Sequence, residues 1–370
     1  MPVRILHVVT YMGRGGLETM LMNYYRRVDR EKLQFDFLVH RDFEADYDAE
    51  ILSLGGRIYQ SSRLIPWSRS YRNELKAFFR AHPEYRIIHV HQDCLSSVIL
   101  QCAEECGIPV RIAHSHSASQ DKNLKYPIKL YYRRQIPQYA TDLMACGRAA
   151  GDWMFRGAPY RILCNAIEAE QYAFDENVRK QVRDSFGFGD RCVVGHTGRF
   201  FSQKNHNMVI EVFAECVKRN PEARLLLVGD GDLRAEIEKK AAGMGLADKI
   251  VFAGVRSDVN ELLQAMDVFL FPSIYEGLSL AVIEAQTAGL PCVISDGVSD
   301  ECIVTDGLVT VKKLADSPAD WAEEVLRQAA LPRRDHSDEV RAAGYDVRTA
   351  AGALEAFYLQ KAEEAGLWHS

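Results

Sequence analysis

The sequence lacks any apolar run of the eighteen or more residues that a membrane-spanning helix needs. The longest candidates, such as 268–271, are interrupted by Asp or Pro. The apolar N-terminal segment, Ile5 to Thr10 after Arg4, is short and leads directly into Gly13-Arg14-Gly15-Gly16. That pattern predicts a first β-strand in preference to a signal peptide, and we expect no segment that spans a bilayer.

Paired cysteines are also lacking. The nine cysteines are odd in number and show no paired spacing, which argues against a disulfide framework and for a reducing compartment. The cytoplasm is therefore the predicted location. No low-complexity segment interrupts the 370 residues, of which 47% are hydrophobic and 26% charged. This composition is typical of a globular chain with room for two domains.

The net charge of −6 is unevenly distributed. Residues 1–165 carry 23 Lys and Arg against 17 Asp and Glu, whereas the remainder carries 22 against 34. The two halves are therefore predicted to meet different partners, with an anionic acceptor or a membrane surface for the basic half. Random variation in solvated surface charge is the alternative. A nucleic-acid partner is not predicted.

Short apolar runs rich in Val, Ile and Leu alternate with amphipathic segments, a pattern typical of βαβ units on a buried parallel sheet. The predicted strands form two series: 4–10, 34–40, 87–91, 111–114 and 142–146, then 192–197, 224–228, 250–253, 268–271 and 292–295. Each series opens with a strand, a glycine-containing loop and a helix. The predicted fold class is α/β, with two Rossmann-like domains facing a central cleft.

The polar stretch 168–190 is the predicted boundary between the domains. The N-terminal domain is predicted to span 1–167 and the C-terminal domain 168–346. A helical pattern that includes Leu354, Phe357 and Tyr358 predicts a final helix at about 347–365. This helix is expected to pack back on the N-terminal domain.

One stretch, Phe271 to Ala285, predicts a strand, a tight turn at Gly277 and a helix. The start of that helix would direct free backbone N–H groups and its positive dipole end toward an anion. Glu276 and Glu284 would lie roughly 80° apart around the helix axis, so both could reach one polyhydroxylated ligand. An acidic helix start that only favours the macrodipole explains Glu276 but not Glu284.

A second loop, Gly198 to Asn205, places Arg199 and Lys204 beside a glycine turn. A guanidinium and an ammonium around one pocket suit a diphosphate, whose negative charge increases as a glycosidic bond breaks. Exposed bases that only face water are the alternative.

These residues resemble a known family. Glu276 and Glu284 form an E-x7-E motif and, with the basic pair Arg199 and Lys204, resemble the retaining glycosyltransferases of family 4, also called glycosyl transferases group 1, which have the GT-B fold. The resemblance covers nearly the whole chain and includes Gly15-Gly16-x-Glu18, Asn165-Ala166-Ile167 and Gly229-Asp230-Gly231. Ala166 replaces a usual glycine and Asp306-Gly307 lacks a second one, departures that concern loop geometry.

The resemblance implies a role for each site residue. Arg199 and Lys204 would hold the donor diphosphate, Glu284 the ribose and Glu276 the transferred sugar. His116 would be the active-site histidine. Phosphates and sugar would contact the loops at Gly15, Gly16, Gly277, Leu278, Ser279 and Leu280, and the base would lie near 252–256, which includes Arg256. The resemblance also implies retention at the anomeric carbon, no metal, and no cofactor beyond the nucleotide diphosphate sugar substrate.

Four histidines form two His-x-His pairs, His89 with His91 and His114 with His116. Alternation puts both members of a pair on one face of a predicted strand. A zinc site is one interpretation, but His-Glu-x-x-His is missing and the cysteines are unpaired, so no metal is predicted. The other interpretation is contact with sugar hydroxyls, with His116 at the reacting centre and His114 orienting it through a hydrogen bond.

Three further motifs offer competing chemistry. Asp46-Tyr47-Asp48 and Asp230-Gly231-Asp232 spell the D-x-D of metal-dependent glycosyltransferases. The first lies in an acidic run, 42–50, predicted as a solvated helix face, and the second in a strand-end turn. The segment 277–281 approximates a nucleophile elbow around Ser279, so a serine hydrolase is an alternative although the second glycine is missing.

Two segments, 122–134 and 63–80, interleave basic and aromatic residues. The first contains Lys122, Lys125, Lys129, Arg133 and Arg134 with Tyr126, Tyr131 and Tyr132, and the second contains Trp67 and Tyr71. Such stretches can rest on anionic lipid headgroups, and ordinary helices with snorkelling side chains are the alternative. We predict peripheral contact with the inner membrane face and a lipid-linked acceptor.

The predicted function is transfer of a hexose from a nucleotide diphosphate sugar, with UDP as the favoured nucleotide, to a saccharide or lipid-linked acceptor in exopolysaccharide, capsule or glycolipid synthesis. A sugar nucleotide epimerase would use the same diphosphate site without an acceptor. A sugar nucleotide binding module without turnover is a third alternative.

Overall fold

A computed structural model describes residues 2–117 and 124–367 of the chain. It divides into two compact units. The first unit runs to Ile167 and takes up the chain again from Asp346, and the second comprises Glu168–Tyr345. The chain therefore leaves the first unit once and returns to it for its last helix.

The elements up to Ile167 are β1 (Val3–Val8), α1 (Gly16–Arg27), β2 (Leu33–Val39), α2 (Asp48–Ser53), β3 (Ile58–Gln60), α3 (Arg69–Ala81), β4 (Ile87–Val90), α4 (Ser96–Glu105), β5 (Val110–Ser115), α5 (Tyr126–Arg133), α6 (Ile136–Tyr139), β6 (Asp142–Ala145), α7 (Arg148–Phe155) and β7 (Arg161–Ile162). The second unit contains α8 (Ala169–Tyr172), α9 (Glu176–Ser185), β8 (Val193–Thr197), α10 (His206–Arg219), β9 (Arg224–Val228), α11 (Arg234–Gly243), β10 (Ile250–Gly254), α12 (Val259–Ala265), β11 (Val268–Phe271), α13 (Leu280–Thr287), β12 (Cys292–Ser295), β13 (Val309–Lys312), α14 (Pro318–Ala329) and α15 (Ser337–Ala342). The last helix is α16 (Val347–Glu364).

The first unit is built on a seven-stranded parallel sheet in the order β3-β2-β1-β4-β5-β6-β7. The strand order reverses between β1 and β4, whose carboxyl ends flank the crevice where ligands bind in such sheets. The strands β1, β2, β4 and β5 are almost wholly buried, as expected for a parallel sheet covered on both faces. The predicted first strand is confirmed as β1.

The second unit repeats this plan with a six-stranded parallel sheet in the order β10-β9-β8-β11-β12-β13. Its order reverses between β8 and β11. Two Rossmann-like sheets confirm the predicted α/β class. The strands β3, β7 and β13 were missed because they are short and largely exposed or half-buried, so they lack the apolar run that identifies the central strands.

The last helix belongs to the core of the first unit. Val347, Leu354 and Tyr358 on α16 are buried in the same cluster as Tyr24 of α1 and Phe35 of β2. Lys361 also forms an ion pair with Asp142 of β6, at 2.8 Å between Nζ and Oδ1. The apolar stripe predicted for this helix therefore covers the sheet of the first unit.

Two local predictions differ from the structure. The stretch 168–190, predicted as the boundary, begins where the second unit begins but belongs to that unit throughout. Helices α8 and α9 occupy most of it, and Asp175 caps α9 by accepting from the backbone N–H of Asn177 and Val178. The acidic run 42–50 is not one helix face, because α2 starts only at Asp48. Tyr47, ahead of it, is buried at 6% exposure, which a solvated face would not allow.

Candidate active site

Two loops at the carboxyl ends of neighbouring strands carry three charged candidate site residues of the second unit. One follows β8 and contains Arg199 and Lys204, and the other follows β11 and contains Glu276. Three hydrogen bonds join them, from Ile274 N to Gln203 O at 2.8 Å, from Gln203 Nε2 to Tyr275 O at 3.0 Å and from Asn205 Nδ2 to Pro272 O at 3.1 Å. The backbone thus holds together two motifs that are some seventy positions apart in the sequence.

Lys204 and Glu276 meet directly within this loop pair. Lys204 Nζ lies 2.6 Å from Glu276 Oε1, and the ammonium lies 4.7 Å from the ring centroid of Phe271. Two hydrogen bonds hold the backbone of Glu276: its N–H donates to Gly297 O, and its carbonyl accepts from Ser299 N. Both side chains keep some exposure, 19% and 11%, so the pair can exchange its mutual contact for a ligand.

Glu284 lies on α13, where its carboxyl accepts a hydrogen bond from the hydroxyl of Tyr172 at 3.1 Å. Burial raises the pKa of this carboxyl to about 7, although the Tyr172 hydrogen bond acts in the opposite direction. A carboxyl with this pKa changes charge near neutral pH. Tyr172 was missed because it lies in the stretch that was predicted as the domain boundary.

The helix after Gly277 starts later than predicted. Helix α13 begins at Leu280, with Ser279 as its N-cap. The estimate of 80° between Glu276 and Glu284 therefore does not apply, because residues 276–279 are outside the helix. Glu276, Gly277 and Leu278 are partly exposed. Ser279 is buried at 3% exposure, which contradicts the exposed nucleophile that a serine hydrolase elbow requires.

Arg199 and Gly198 follow β8 directly and are partly exposed. The next loop, after β9, packs against them through Phe200 N, which donates to Asp230 O at 3.0 Å. This approach requires glycine at position 229, where φ is +134° and a Cβ would lie 2.1 Å from Gly198 O. Asp230 of the second D-x-D accepts from Arg234 Nη1 at 3.2 Å, so its carboxylate is engaged within its own loop.

Arg256 lies beyond the carboxyl end of β10. Its guanidinium makes a bidentate contact with Asp258, at 2.8 and 2.5 Å, and its side chain is 41% exposed. It is therefore on the same edge of the sheet as Arg199 and Lys204, two strands away in the order β10-β9-β8.

In the first unit, Gly15 and Gly16 follow β1 and start α1, with Gly15 as the N-cap. A Cβ at Gly16 would meet nothing within 4 Å. Packing within the protein therefore does not require glycine at position 16, whereas a ligand bound close to the helix N-terminus would require it.

His116 follows β5 and lies in a cluster of five histidines with His7, His89, His91 and His114. His116 Nε2 lies 2.8 Å from His91 Nδ1. Over the ranges 2–117 and 124–367, neither ring nitrogen of His114 has a hydrogen-bond partner. The prediction that His114 orients His116 by hydrogen bonding is therefore wrong, and His91 makes that contact.

His7 is the member of the cluster that the sequence did not reveal. It lies on β1, directly beside His89 in the register of β1 with β4, and its Nδ1 lies 3.1 Å from His91 Nε2. Burial lowers the pKa of His7 and of His116 to about 3. One signal in the sequence could have indicated His7: it is a polar residue near the carboxyl end of an apolar strand, as the two His-x-His pairs are.

The cluster also offers nitrogen ligands for a metal ion. One ring nitrogen from each of His7, His89 and His91 lies within 4.8 Å of the other two, and His91, His114 and His116 form a second such group. The first D-x-D does not add to either group. Its Asp48 accepts from the backbone N–H of Ala45 at the start of α2.

Comparison with known proteins gives one family match in the N-terminal part of the chain and one in the C-terminal part. The sequence model described as Glycosyltransferase Family 4 matches residues 14–171, and the model described as Glycosyl transferases group 1 matches residues 191–330. A putative glycosyltransferase, EpsF of Bacillus subtilis, is 37% identical over 368 residues, which cover 95% of each chain. The chain is a group 1 glycosyltransferase.

Other relatives of this glycosyltransferase are more distant. The UDP-Gal:alpha-D-GlcNAc-diphosphoundecaprenol alpha-1,3-galactosyltransferase of Escherichia coli is 26% identical over 242 residues, 60% of each chain. HepE of Anabaena, solved with UDP and with UDP-glucose, matches at TM-scores of 0.79 and 0.78, with 17% identity and coverage of 96–97% of this chain and 99% of HepE. At that identity the likeness shows the GT-B fold of the glycosyltransferase.

Among the helices in the described part of this glycosyltransferase, none combines the length and the apolar character needed to cross a membrane. The segment 122–134 lies partly outside the described residues, since Lys122 is not described and α5 begins at Tyr126.

Proposed function

We propose that the chain transfers a hexose, with retention at the anomeric carbon, from a UDP-sugar to a saccharide or lipid-linked acceptor. The observation that carries this proposal is the loop pair of the second unit, which contains Arg199 and in which Lys204 contacts Glu276 at 2.6 Å. A diphosphate in this loop pair would replace Glu276 as the partner of the Lys204 ammonium. Glu276 would then be released to accept hydrogen bonds from sugar hydroxyls.

The basic pair would stabilise the diphosphate most strongly as the bond to the anomeric carbon breaks, because the leaving group gains negative charge in that step. The acceptor hydroxyl would attack from the face that the diphosphate leaves, and its proton would pass to a leaving phosphate oxygen. We assign no side chain as a covalent nucleophile. Glu284 would accept hydrogen bonds from the ribose, and Arg256 would lie near the base.

The choice of UDP rests on what related proteins bind. HepE, which shares the fold, was solved with UDP and UDP-glucose, and the Escherichia coli relative uses UDP-Gal according to its name. The same relative acts on a diphosphoundecaprenol-linked sugar. These observations support a UDP-sugar donor and an acceptor used in polysaccharide or glycolipid synthesis.

The experiment is a screen of nucleotide sugars by thermal stabilisation, followed by product analysis with and without acceptors. A UDP-sugar is expected to raise Tm more than the GDP- and ADP-sugars do, because a ligand that binds only the folded state stabilises it by mass action. Inversion at the anomeric carbon would contradict retention. Conversion of the donor alone into an epimer would instead favour the epimerase.

We also propose that transfer needs no metal. One oxygen of Asp48 accepts from the backbone N–H of Ala45, and the two oxygens of Asp230 accept from Gly231 N and Arg234, whereas Lys204 and Arg199 would supply positive charge at the diphosphate. Addition of EDTA to the purified enzyme is expected to leave the rate of transfer unchanged. Loss of activity that Mg²⁺ or Mn²⁺ restores would contradict this.

A second proposal concerns the membrane. Tyr132 Oη donates to Pro66 O at 3.1 Å, which brings α5 beside the segment before α3. Trp67 and Tyr131 are 66% and 62% exposed there, and Leu124 is 98% exposed. Exposed aromatic and apolar side chains next to Lys125 and Lys129 suit an anionic lipid surface, and a lipid-linked acceptor would be bound at such a surface.

Sedimentation with liposomes at low salt tests this contact. The chain is expected to bind vesicles that contain anionic lipid more than neutral vesicles. The double variant Trp67→Ala/Tyr131→Ala is expected to bind less, whereas Phe43→Ala, which removes another exposed ring of the same unit, serves as the control. Equal binding to anionic and neutral vesicles would remove the proposal.

A further inference from the structure

A hydrogen bond between two helices of the second unit holds the carboxyl of Glu284. Tyr172 is the last residue of α8, and its hydroxyl donates to Glu284 Oε1 on α13 at 3.1 Å. Both residues are partly exposed. No hydrogen bond within the described ranges uses Glu284 Oε2, and this oxygen is not sealed from solvent. One oxygen of the carboxyl is therefore held by the protein, and the other is open to a ligand.

Tyr172 is itself held in place from α12. Gln264, which is 2% exposed, donates through Nε2 to the carbonyl of Tyr172 at 3.2 Å and accepts at Oε1 from Asp175 N at 3.3 Å. Asn260 Nδ2 donates to Gln171 O at 3.2 Å. A helix of four residues, as α8 is, is too short to be stable by itself. These contacts therefore fix α8, and with it the place of the Tyr172 hydroxyl.

The hydrogen bond limits how the carboxyl of Glu284 can turn. The last side-chain torsion of a glutamate has broad minima, so a carboxyl without a partner samples many orientations. An ionised carboxylate has about four acceptor positions on its two oxygens. Tyr172 occupies one position on Oε1 and so fixes the plane of the group. The positions on Oε2 are left with a defined direction.

Tyr172 also favours the form of Glu284 that only accepts hydrogen bonds. Burial raises the pKa of this carboxyl to about 7, whereas the hydrogen bond from Tyr172 acts to lower it. A hydroxyl that donates to a carboxylate stabilises the charged form. Protonation would convert one oxygen into a donor and remove an acceptor position from the group. The Tyr172 hydroxyl therefore acts on the charge of Glu284 as well as on its orientation.

We propose that Tyr172 is a positioning residue for the donor, because its hydroxyl holds Glu284 with Oε2 free to accept hydrogen bonds from the ribose. This inference rests on the function proposed above, in which Glu284 binds the ribose hydroxyls. Tyr172 needs no contact with the donor to have this effect. Its contribution is that the carboxylate is already oriented before the nucleotide binds.

Tyr172→Phe tests the role of the hydroxyl, because it keeps the ring and thus the packing of α8. Calorimetry with UDP and the full chain is expected to show a Kd up to about tenfold higher than in the unmodified chain, the size of one hydrogen bond. KM for a UDP-sugar should rise by a similar factor. The value of kcat should change little, because ribose contacts are the same in the ground state and the transition state.

Two analogues of UDP separate positioning from packing. Each of 2′-deoxy-UDP and 3′-deoxy-UDP lacks one ribose hydroxyl. At least one of them should bind the unmodified chain more weakly than UDP does. In Tyr172→Phe this difference should shrink several-fold, because the two changes act on the same interaction. Equal differences in both proteins would mean that the hydroxyl acts only through packing, and would overturn the proposal.

The matched control is Tyr85→Phe. The Tyr85 hydroxyl donates to the buried carboxylate of Asp36 at 2.8 Å, in the first unit and just before β4 begins. The substitution therefore removes the same kind of hydrogen bond at a place away from the candidate site. Tm should fall, whereas the Kd of UDP should stay as it is. A rise in Kd as large as in Tyr172→Phe would contradict a specific role for Tyr172.

A measurement without any ligand tests the hydrogen bond alone. ¹³C NMR of the full chain labelled at its glutamate side chains follows the titration of Glu284, with Glu284→Gln to assign the signal. The pKa of Glu284 is expected to rise in Tyr172→Phe, because the donor that favours the ionised form is gone. In Tyr85→Phe it should not change.

An unchanged pKa of Glu284 in Tyr172→Phe would overturn the proposal. If this pKa rises as stated but no nucleotide binds the unmodified chain, the proposed function has failed, and the link to the ribose with it. The hold of Tyr172 on Glu284 would then still stand. The two failures are therefore distinguishable.

Discussion

At the scale of single residues, Lys204 carries most of the proposed chemistry. Its ammonium is already within 2.6 Å of a carboxylate, so removing it deprives a diphosphate of a charge and leaves Glu276 without its partner. Lys204→Ala is expected to lower kcat for transfer by about tenfold to a hundredfold. Steady-state kinetics with a saturating UDP-sugar measures this.

The matched control is Lys218→Ala. Lys218 belongs to the same unit and is paired with Glu215 on the exposed side of α10, so its loss should leave kcat unchanged. Equal kcat values for the two variants would mean that the Lys204 contact is only structural.

Glu284 gives a prediction about pH and stability. Its pKa is raised from 4.5 to about 7 by burial. Below pH 4.5 the carboxyl is protonated in the folded and the unfolded chain, so it has no net effect. Between 4.5 and about 7 only the unfolded chain releases the proton, so the free energy of unfolding falls as pH rises. The full loss, about 3 kcal/mol, is present above pH 7.

Glu284→Gln removes this ionisation. The variant is expected to be more stable than the unmodified chain at pH 8, by up to about 3 kcal/mol, and equally stable at pH 4. Urea unfolding at both pH values measures the difference. Glu222→Gln, at a carboxylate that is 68% exposed, is the control. A constant difference across pH would show that packing, not ionisation, is responsible.

At the scale of elements, the N-terminus of α1 offers the sharpest test. Gly16→Ala adds a methyl group that meets nothing within 4 Å in the protein, so Tm should be unchanged or slightly higher. If the donor lies against this turn, its KM should rise about tenfold, because the methyl group would displace it by more than a hydrogen bond tolerates.

Gly243→Ala, at the end of α11, is matched to it, since a Cβ there also meets nothing within 4 Å. This variant should change neither KM nor kcat. If KM for the donor is the same in both variants, the start of α1 does not contact the donor.

Elements also show where sequence patterns succeed. The central strands of both sheets and the helix α16 were predictable because each has a long buried face. Helix α13 was placed three residues too early because Gly277 suggested the turn, whereas the β-type contact of Glu276 with Gly297 and Ser299 extends the loop to Ser279. That contact comes from a segment twenty residues later, which no local pattern could reveal.

At the scale of the whole molecule, the two units should differ in acid stability. Among the residues that the structure describes, the first unit contains six histidines with lowered pKa values, His7, His40, His89, His91, His114 and His116, and the second contains His196 and His206. As pH falls below 6.5, the unfolded chain takes up protons that the folded unit does not. Each such histidine then lowers the free energy of unfolding of its unit by about 1.4 kcal/mol per pH unit, until the pKa of the histidine in the folded unit is reached.

The first unit is therefore expected to unfold before the second when pH is lowered from 7 to 5. Hydrogen exchange with mass spectrometry, corrected for the pH dependence of intrinsic exchange, assigns protection to each unit. Peptides of β4 and β5 should lose protection at a higher pH than peptides of β8 and β11. Simultaneous loss in both units would contradict the prediction.

The sequence by itself determined the repeated α/β plan, the family, and the two motif-bearing loops after β8 and β11, because apolar periodicity and short motifs are local properties of the chain. Only the tertiary structure decided that Lys204 lies against Glu276, that Tyr172 holds Glu284, and that His7 joins His91 and His116. These contacts depend on strand order and on loops that meet across the sheet edge. Side-chain neighbours of that kind are set by three-dimensional packing, which a linear pattern does not encode residue by residue.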